Sequence, residues 1–210
     1  TDNSPEIIKT YKTKITFIQN PENSGFARGN NLCLPHCKGD YLLLLNNDTL
    51  VPPTALQGML NYFKSNPKTG ALSPKLLNRD GSLQPQGSGL GSWRFKSKTP
   101  LPVSFISGAC LMTPKPLYES IGGLDENLFF YNEDTDFCNQ LKKLKRPIIY
   151  LPTVEITHFG GLATSTRKPQ SMVAGYRGSL YLCRKYYPWF CYPLFRVLIW
   201  VDVLPRLLIY

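Results

Sequence analysis

Two polar clusters carry the residue types from which a reaction centre could be built. The first is Asn46-Asn47-Asp48, which closes the apolar run Tyr41-Leu42-Leu43-Leu44-Leu45. That run is bounded by Lys38-Gly39-Asp40 and by polar residues after it, so it predicts a short strand buried on both faces. In open α/β sheets ligands collect beyond the carboxyl ends of the strands, where this cluster falls. A carboxylate oxygen there suits a hard divalent cation, and Mg²⁺ or Mn²⁺ commonly binds through one or two carboxylates together with the phosphates of a substrate. Asn, Asp and Thr also favour strand-ending turns for local hydrogen-bonding reasons, and the cluster alone does not separate the two readings.

The second cluster is acidic. Asp125, Glu126, Glu133, Asp134 and Asp136 place five of the chain's 14 acidic residues in one short stretch of a protein whose net charge is +10. Phe137, Leu141 and Leu144 repeat at helical spacing and predict a helix from near Asn132, with acids in its first turn and Lys142, Lys143, Lys145 and Arg146 near its end. Such a distribution complements the helix dipole, at about 0.3–1 kcal/mol per charge. It accounts neither for Asp125 and Glu126 nor for the aromatic run Phe129-Phe130-Tyr131. A carboxylate beside aromatic rings can be partly desolvated, which is how a general base is tuned.

Six ordered motifs link these clusters. They are Asn23-Ser24-Gly25-Phe26-Ala27-Arg28-Gly29-Asn30-Asn31, Leu45-Asn46-Asn47-Asp48-Thr49, Ser107-Gly108-Ala109-Cys110, Ile121-Gly122-Gly123-Leu124-Asp125-Glu126, Phe130 to Cys138, and His158-Phe159-Gly160-Gly161. In this order the chain, from Thr1 to about Lys185, resembles family 2 glycosyltransferases, and most of all their rhamnosyltransferase-like branch. The resemblance implies a GT-A type fold and an inverting transfer of a sugar, rhamnose being its best offer, from a UDP- or dTDP-sugar to a hydroxyl of a saccharide or lipid-linked acceptor. It implies Mn²⁺ or Mg²⁺ held by Asp48, with His158 completing the site as in some relatives. Asn46, Asn47, Arg28 and Gly25 then fall on the donor side, Asp134 where the family keeps its catalytic base, and Glu133, Trp93 and Tyr131 toward the acceptor.

The elements that must position these residues alternate. Helices are expected near Ser4–Thr10, Ala27–Cys37 and Thr54–Ser65, and strands at Lys14–Gln19, Tyr41–Leu45 and Ala71–Pro74. That rhythm predicts an α/β fold with a doubly wound, mainly parallel sheet flanked by helices. At 210 residues and 42% hydrophobic, the chain can fill one sizeable core. The stretch Gly81–Pro102 reads as a long loop. The chain opens on Thr1-Asp2 and runs directly into a helix, whereas the family begins with a strand, helix and strand that hold the nucleotide base, so that unit is expected to be missing in front.

Residues 1–187 form the expected transferase domain and 188–210 an apolar, membrane-associated tail. Within that tail Arg196, Asp202 and Arg206 fall on one stripe of a helix, leaving Leu194, Val197, Leu198, Val201 and Leu204 for an apolar face. Arg167, Lys168, Arg177, Arg184 and Lys185 precede it and suit anionic headgroups. The expected location is therefore cytoplasmic, peripheral on the inner face of the cell membrane. A pI near 9.3 raises the possibility of a nucleic-acid partner. The basic residues are spread along the chain without a nucleic-acid-binding motif, and no nucleic acid is expected to bind.

Overall fold

A computed structural model describes residues 3–11, 13–86, 92–160 and 168–207. Its helices and strands are α1 (Ser4–Lys9), α2 (Gly25–Asn31), β1 (Tyr41–Leu45), β2 (Thr49–Leu50), α3 (Ala55–Ser65), β3 (Ala71–Leu77), β4 (Leu101–Pro102), β5 (Cys110–Pro114), α4 (Lys115–Ile121), α5 (Glu133–Lys143), β6 (Ile148–His158), α6 (Lys168–Tyr186) and α7 (Cys191–Leu207). Thr1, Asp2, Gly161, Arg167 and the last residues of the tail lie outside the described residues, as do the side chain of Lys168 and that of Arg206.

The sheet is ordered β1-β5-β3-β6-β2, with β4 also paired to β6. β3 lies parallel to β6, and β5 is inserted antiparallel between β1 and β3. The strands β1, β3 and β6 therefore share one direction, and the expected parallel sense holds for them. Their hydrogen-bonded neighbours are nonetheless mostly reversed, because β5, β2 and β4 all run the other way. Along β3 the register to β6 jumps from Pro74↔Leu151 to Lys75↔Glu155. The residues inserted in β6 include Pro152, whose ring nitrogen cannot donate to a neighbouring strand.

The alternation of strand side chains divides the core in two. Leu42, Leu44, Leu111 and Ile148 meet α2, α4 and α5 through Ala27, Tyr118, Phe137 and Leu141. On the other face Leu72, Cys110, Met112, Ile149 and Ile156 pack on Ala55, Met59 and Phe63 of α3. These are the two helical layers that double winding requires.

Two expected elements differ. Lys14–Gln19 forms turns and extended chain without ladder partners, since β1 ends the sheet on that side. An apolar run becomes a strand only where another strand satisfies its backbone. The helix expected over Ala27–Cys37 is α2 followed by a separate single turn, Leu34–His36, because Pro35 lacks the N–H that a continuous helix needs there.

Asn31, at the end of α2, fixes this helix to the segment before α5. Its carboxamide oxygen accepts from Tyr118 Oη and from the backbone N–H of Leu124, while its nitrogen donates to the Leu124 carbonyl at 2.8 Å. A Cβ on Gly123 would stand 2.5 Å from that oxygen, so the glycine pair after α4 is a packing requirement as well as a turn.

α6 is locked on by charge. Lys185 Nζ lies 2.6 Å from Asp125 and 2.8 Å from Asp136, whose residue is only 1% exposed. Tyr181 donates to Asp125 and Tyr186 to Asp136. Burial would raise the Asp125 carboxyl, but the bonds from Lys185, Tyr181 and Asn127 outweigh it and hold the group down at about 2. The excess of acid in this region is thus partly structural. Removing Lys185 leaves two carboxylates facing each other, and Lys185→Ala should cost about 2 kcal/mol at pH 7, less than a fully enclosed pair because the lysine is half-exposed. Calorimetry should show Tm lower by about 4–8 °C. A carboxyl depressed in the fold stabilises above its ordinary pKa, so the gap should close as pH falls from about 4 towards 2. A loss below about 0.5 kcal/mol at pH 7 would show that the clamp is not what holds α6.

Candidate active site

β1 delivers its polar residues to the carboxyl edge of the sheet, where β6 ends on His158. Asp48 Oδ1 is 3.2 Å from His158 Nε2, and Asn46 Nδ2 is 3.3 Å from the same nitrogen. Two backbone bonds fix this arrangement, from Asn46 N–H to the Ala109 carbonyl and from Phe159 N–H to the Asp48 carbonyl. Asn47 is exposed beside them.

The imidazole is oriented by Gln84. The Gln84 amide nitrogen donates to Asn78 Oδ1 and to the His158 carbonyl, which leaves its oxygen to accept from His158 Nδ1 at 2.7 Å. The ring proton is thereby assigned to Nδ1, and Nε2 presents a lone pair. Nε2 thus stands 3.2 Å from the Asp48 carboxylate oxygen, with the Asn46 amide beside it. An imidazole nitrogen and a carboxylate oxygen this close are a donor set that would suit a small divalent ion. Among the described residues no group of three His, Cys, Asp or Glu side chains could hold a metal by itself. The remaining positions suit phosphate oxygens and water.

The second half of the site is carried by the first turn of α5. Asp134 Oδ2 accepts from Gly108 N–H at 3.2 Å and Oδ1 from Thr135 N–H at 2.7 Å. Burial pushes this carboxyl up, and the backbone bonds from Gly108 and Thr135 partly offset it. Glu133 is 7% exposed and its Oε2 has no hydrogen-bond partner. Burial, then the neighbouring Asp134, pushes it up to about 8. The two carboxyls differ in their partners: Asp134 is met by backbone donors, which favour its ionised form, whereas Glu133 Oε2 meets none. Tyr131 and Asn132, just before, both have positive φ, at 69° and 73°. Two successive non-glycine residues in this region cost about 1–3 kcal/mol each, a strain that sets how α5 enters.

The other expected residues divide. Gly25 has φ +82°, and a Cβ there would lie 2.2 Å from the Phe129 carbonyl, which accepts from Phe26 N–H. It joins the α2 start to the aromatic run and presents no side chain of its own. Arg28 is exposed beside Glu22 at 3.7 Å. Trp93 is not assembled with the carboxylates. It stands 64% exposed against Arg94, on a turn that docks through Phe95 onto Tyr150, at the opposite half of β6 from His158. Its composition suggested a sugar platform, but the anchor of its loop lies elsewhere. Gln84, Gln86 and Asn132 were not legible as site residues. Their signal is the alternation of Gln84 and Gln86 in an otherwise loop-like stretch, where Gln86 accepts from Ser107 N–H and donates to the Pro74 carbonyl.

An α/β sheet with helices on both faces, and a polar carboxyl edge opposite a carboxylate-bearing helix, defines a GT-A type glycosyltransferase domain. The chain belongs to glycosyl transferase family 2, whose model matches residues 1–121. It is 27% identical to an N-acetylglucosaminyl-diphospho-decaprenol L-rhamnosyltransferase of Mycobacterium tuberculosis, over 68% of this chain and 54% of that protein. It is 26% identical to a low-salt glycan biosynthesis hexosyltransferase of Haloferax volcanii, over 69% and 52%. The chain thus spans about half the length of these curated relatives. Among solved structures it resembles a mannosyltransferase of Pyrobaculum calidifontis in complex with GDP-Man and Mn²⁺ (TM-score 0.62, 19% identity, 86% of this chain and 52% of that one).

A buried carboxyl whose pKa is raised by folding opposes stability progressively as pH rises from its ordinary value to the raised one. For Glu133 that window runs from about 4.5 to about 8. Glu133→Gln should therefore leave Tm close to the parent's at pH 4.5 and exceed it by at least about 4 °C at pH 8.5. A pH-independent difference would mean that Glu133 is not held protonated by its surroundings.

Proposed function

We propose that this domain transfers a sugar, with inversion, from a nucleotide-sugar to a hydroxyl of a saccharide carried on a lipid. The observation that carries the reading is the joining of the Asp48–His158 pair and the Glu133–Asp134 pair through one short backbone segment, Ser107–Ala109. The rhamnosyltransferase relative supports rhamnose and a prenyl-diphosphate acceptor as the specific substrates, and UDP or dTDP as the leaving group follows from the family resemblance. The exposed apolar residues Leu194, Val197, Leu198, Val201 and Leu204 on α7 support a place at the membrane surface. Among the described residues no helix is long and apolar enough to cross a membrane.

In this reading Asp48 and His158 would hold Mn²⁺ or Mg²⁺, which supplies positive charge to a departing diphosphate. Gln84 keeps the ring proton on Nδ1, and the Asn46 amide, which approaches the Nε2 lone pair, would have to yield it to the ion. Asp134 takes the proton of the acceptor hydroxyl as it attacks the anomeric carbon, and its raised pKa strengthens it as a base. Glu133, protonated, can donate a hydrogen bond to an acceptor oxygen without adding a second negative charge. Single displacement needs no covalent nucleophile and inverts the anomeric centre.

Calorimetric titration with UDP and dTDP should show diphosphate binding that depends on Mn²⁺, and Asp48→Ala should weaken it at least about tenfold. Equal affinity with and without chelator would overturn the metal reading. Asp134→Asn should bind the same diphosphate as the parent but turn over about 10²–10⁴-fold more slowly. Turnover within a few-fold of the parent would remove Asp134 from the mechanism.

A further inference from the structure

Beside the carboxylates lies a cleft that neither the donor nor the metal accounts for. Its volume is about 610 Å³, within the range of small-molecule sites, and its lining is mainly apolar. One wall is the aromatic run Phe129–Tyr131 and the other a single face of α6, where Val173, Ala174, Arg177 and Tyr181 recur at helical spacing.

Three observations indicate its occupant. The cleft adjoins the segment that leads into α5, since Tyr131 lines it and Asn132, Glu133 and Asp134 follow in the chain. Its second wall is rigidly placed, because Asn132 Nδ2 donates to the Gly175 carbonyl at 2.9 Å and Lys185 clamps the far end of α6. Arg177 is exposed in the lining and has no carboxylate partner among the described residues, whereas Lys185 is committed to Asp125 and Asp136, and Arg184 stacks on Tyr192 at 4.0 Å. Asp125, bonded to Tyr181 at the end of the cleft, is already neutralised by Lys185. An apolar trough with one uncommitted guanidinium at its edge suits a ligand that is hydrocarbon along its length and anionic at one end.

We propose that this cleft binds the first isoprene units of a prenyl diphosphate, with Arg177 on the diphosphate, so that a sugar attached beyond the diphosphate is presented to Glu133 and Asp134. This rests on the reading of the acceptor as lipid-linked and gives that acceptor a site. Farther along the chain Trp189 and Phe190, 84% and 60% exposed, extend the apolar surface past the end of α6.

The test is calorimetric titration of the whole chain with farnesyl diphosphate, in chelator so that the Asp48 site contributes nothing, against farnesol and inorganic pyrophosphate. Farnesyl diphosphate should bind more tightly than either fragment. Ala174→Phe, which fills the cleft, should weaken it at least about tenfold, and Arg177→Gln should weaken farnesyl diphosphate about tenfold while leaving farnesol unchanged. Val173→Trp, at an exposed position on the same wall, provides a second block should Ala174→Phe fail to fold. Unchanged affinity in the blocked variants, binding of pyrophosphate as tight as that of farnesyl diphosphate, or displacement by UDP with Mn²⁺ would overturn the proposal. Mn²⁺-dependent UDP binding, measured on the same samples, reports separately on the transferase reading, so failure of one is distinguishable from failure of the other.

Discussion

The candidate site depends on three consecutive peptide units. Ala109 accepts from the backbone of Asn46 through its carbonyl, and Gly108 donates to the Asp134 carboxylate. These groups belong to the entrance of β5, the strand inserted against the direction of its neighbours. Because β5 runs backwards, its beginning rather than its end reaches the carboxyl edge of β1, and the chain arrives there with a free N–H to offer. Gly108 also lies in van der Waals reach of both neighbouring helices. A Cβ there would lie 3.4 Å from the Phe26 ring and 3.8 Å from Asp134 Cβ. The α2 start, the sheet edge and α5 therefore converge on one backbone segment, and any shift in it would move both polar clusters together.

Negative charge in this chain serves two distinct purposes. Asp125 and Asp136 are satisfied by lysine and tyrosine and hold an architectural helix, whereas Glu133 is enclosed with an oxygen unsatisfied and Asp134 is met only by backbone donors and its neighbouring threonine. Residues a few positions apart in sequence thus occupy opposite electrostatic regimes. The difference lies in the partners: Asp136 meets Lys185 and Tyr186 of α6, whereas Glu133 Oε2 meets no donor.

How much of this could be read from the sequence varies by residue. The strand at Tyr41–Leu45 and the helix after Asn132 were legible because each is signalled by a local apolar period with polar punctuation. Asp48, His158 and Asp134 were legible only through ordered motifs, since a lone carboxylate after a strand is equally a turn. The reversed strand β5 left no local trace: Cys110–Pro114 reads the same in either direction, and only pairing decides. Gln84 and Asn31 act over 74 and 93 positions of chain, respectively, and no local pattern announces such partners. Trp93 shows the converse, an aromatic side chain of suitable chemistry whose turn docks on Tyr150, at the other half of β6 from His158.

The clamp at Lys185 also bears on the order in which the molecule can be completed. Asp125 precedes its lysine by 60 residues, so during synthesis both acids leave the ribosome well before the charge that compensates them. At about 5–20 residues per second, the sheet, whose last strand ends at His158, has about 1–5 seconds in which to assemble with α5 around carboxylates that are still hydrated. Docking of α6 then desolvates acids and lysine in a single event, at the moment when the second wall of the cleft comes into being. The last long-range ion pairs of the body and its apolar cleft are consequently products of the same late folding step, and a nascent chain that has not reached Lys185 presents the aromatic run at 129–131 to solvent.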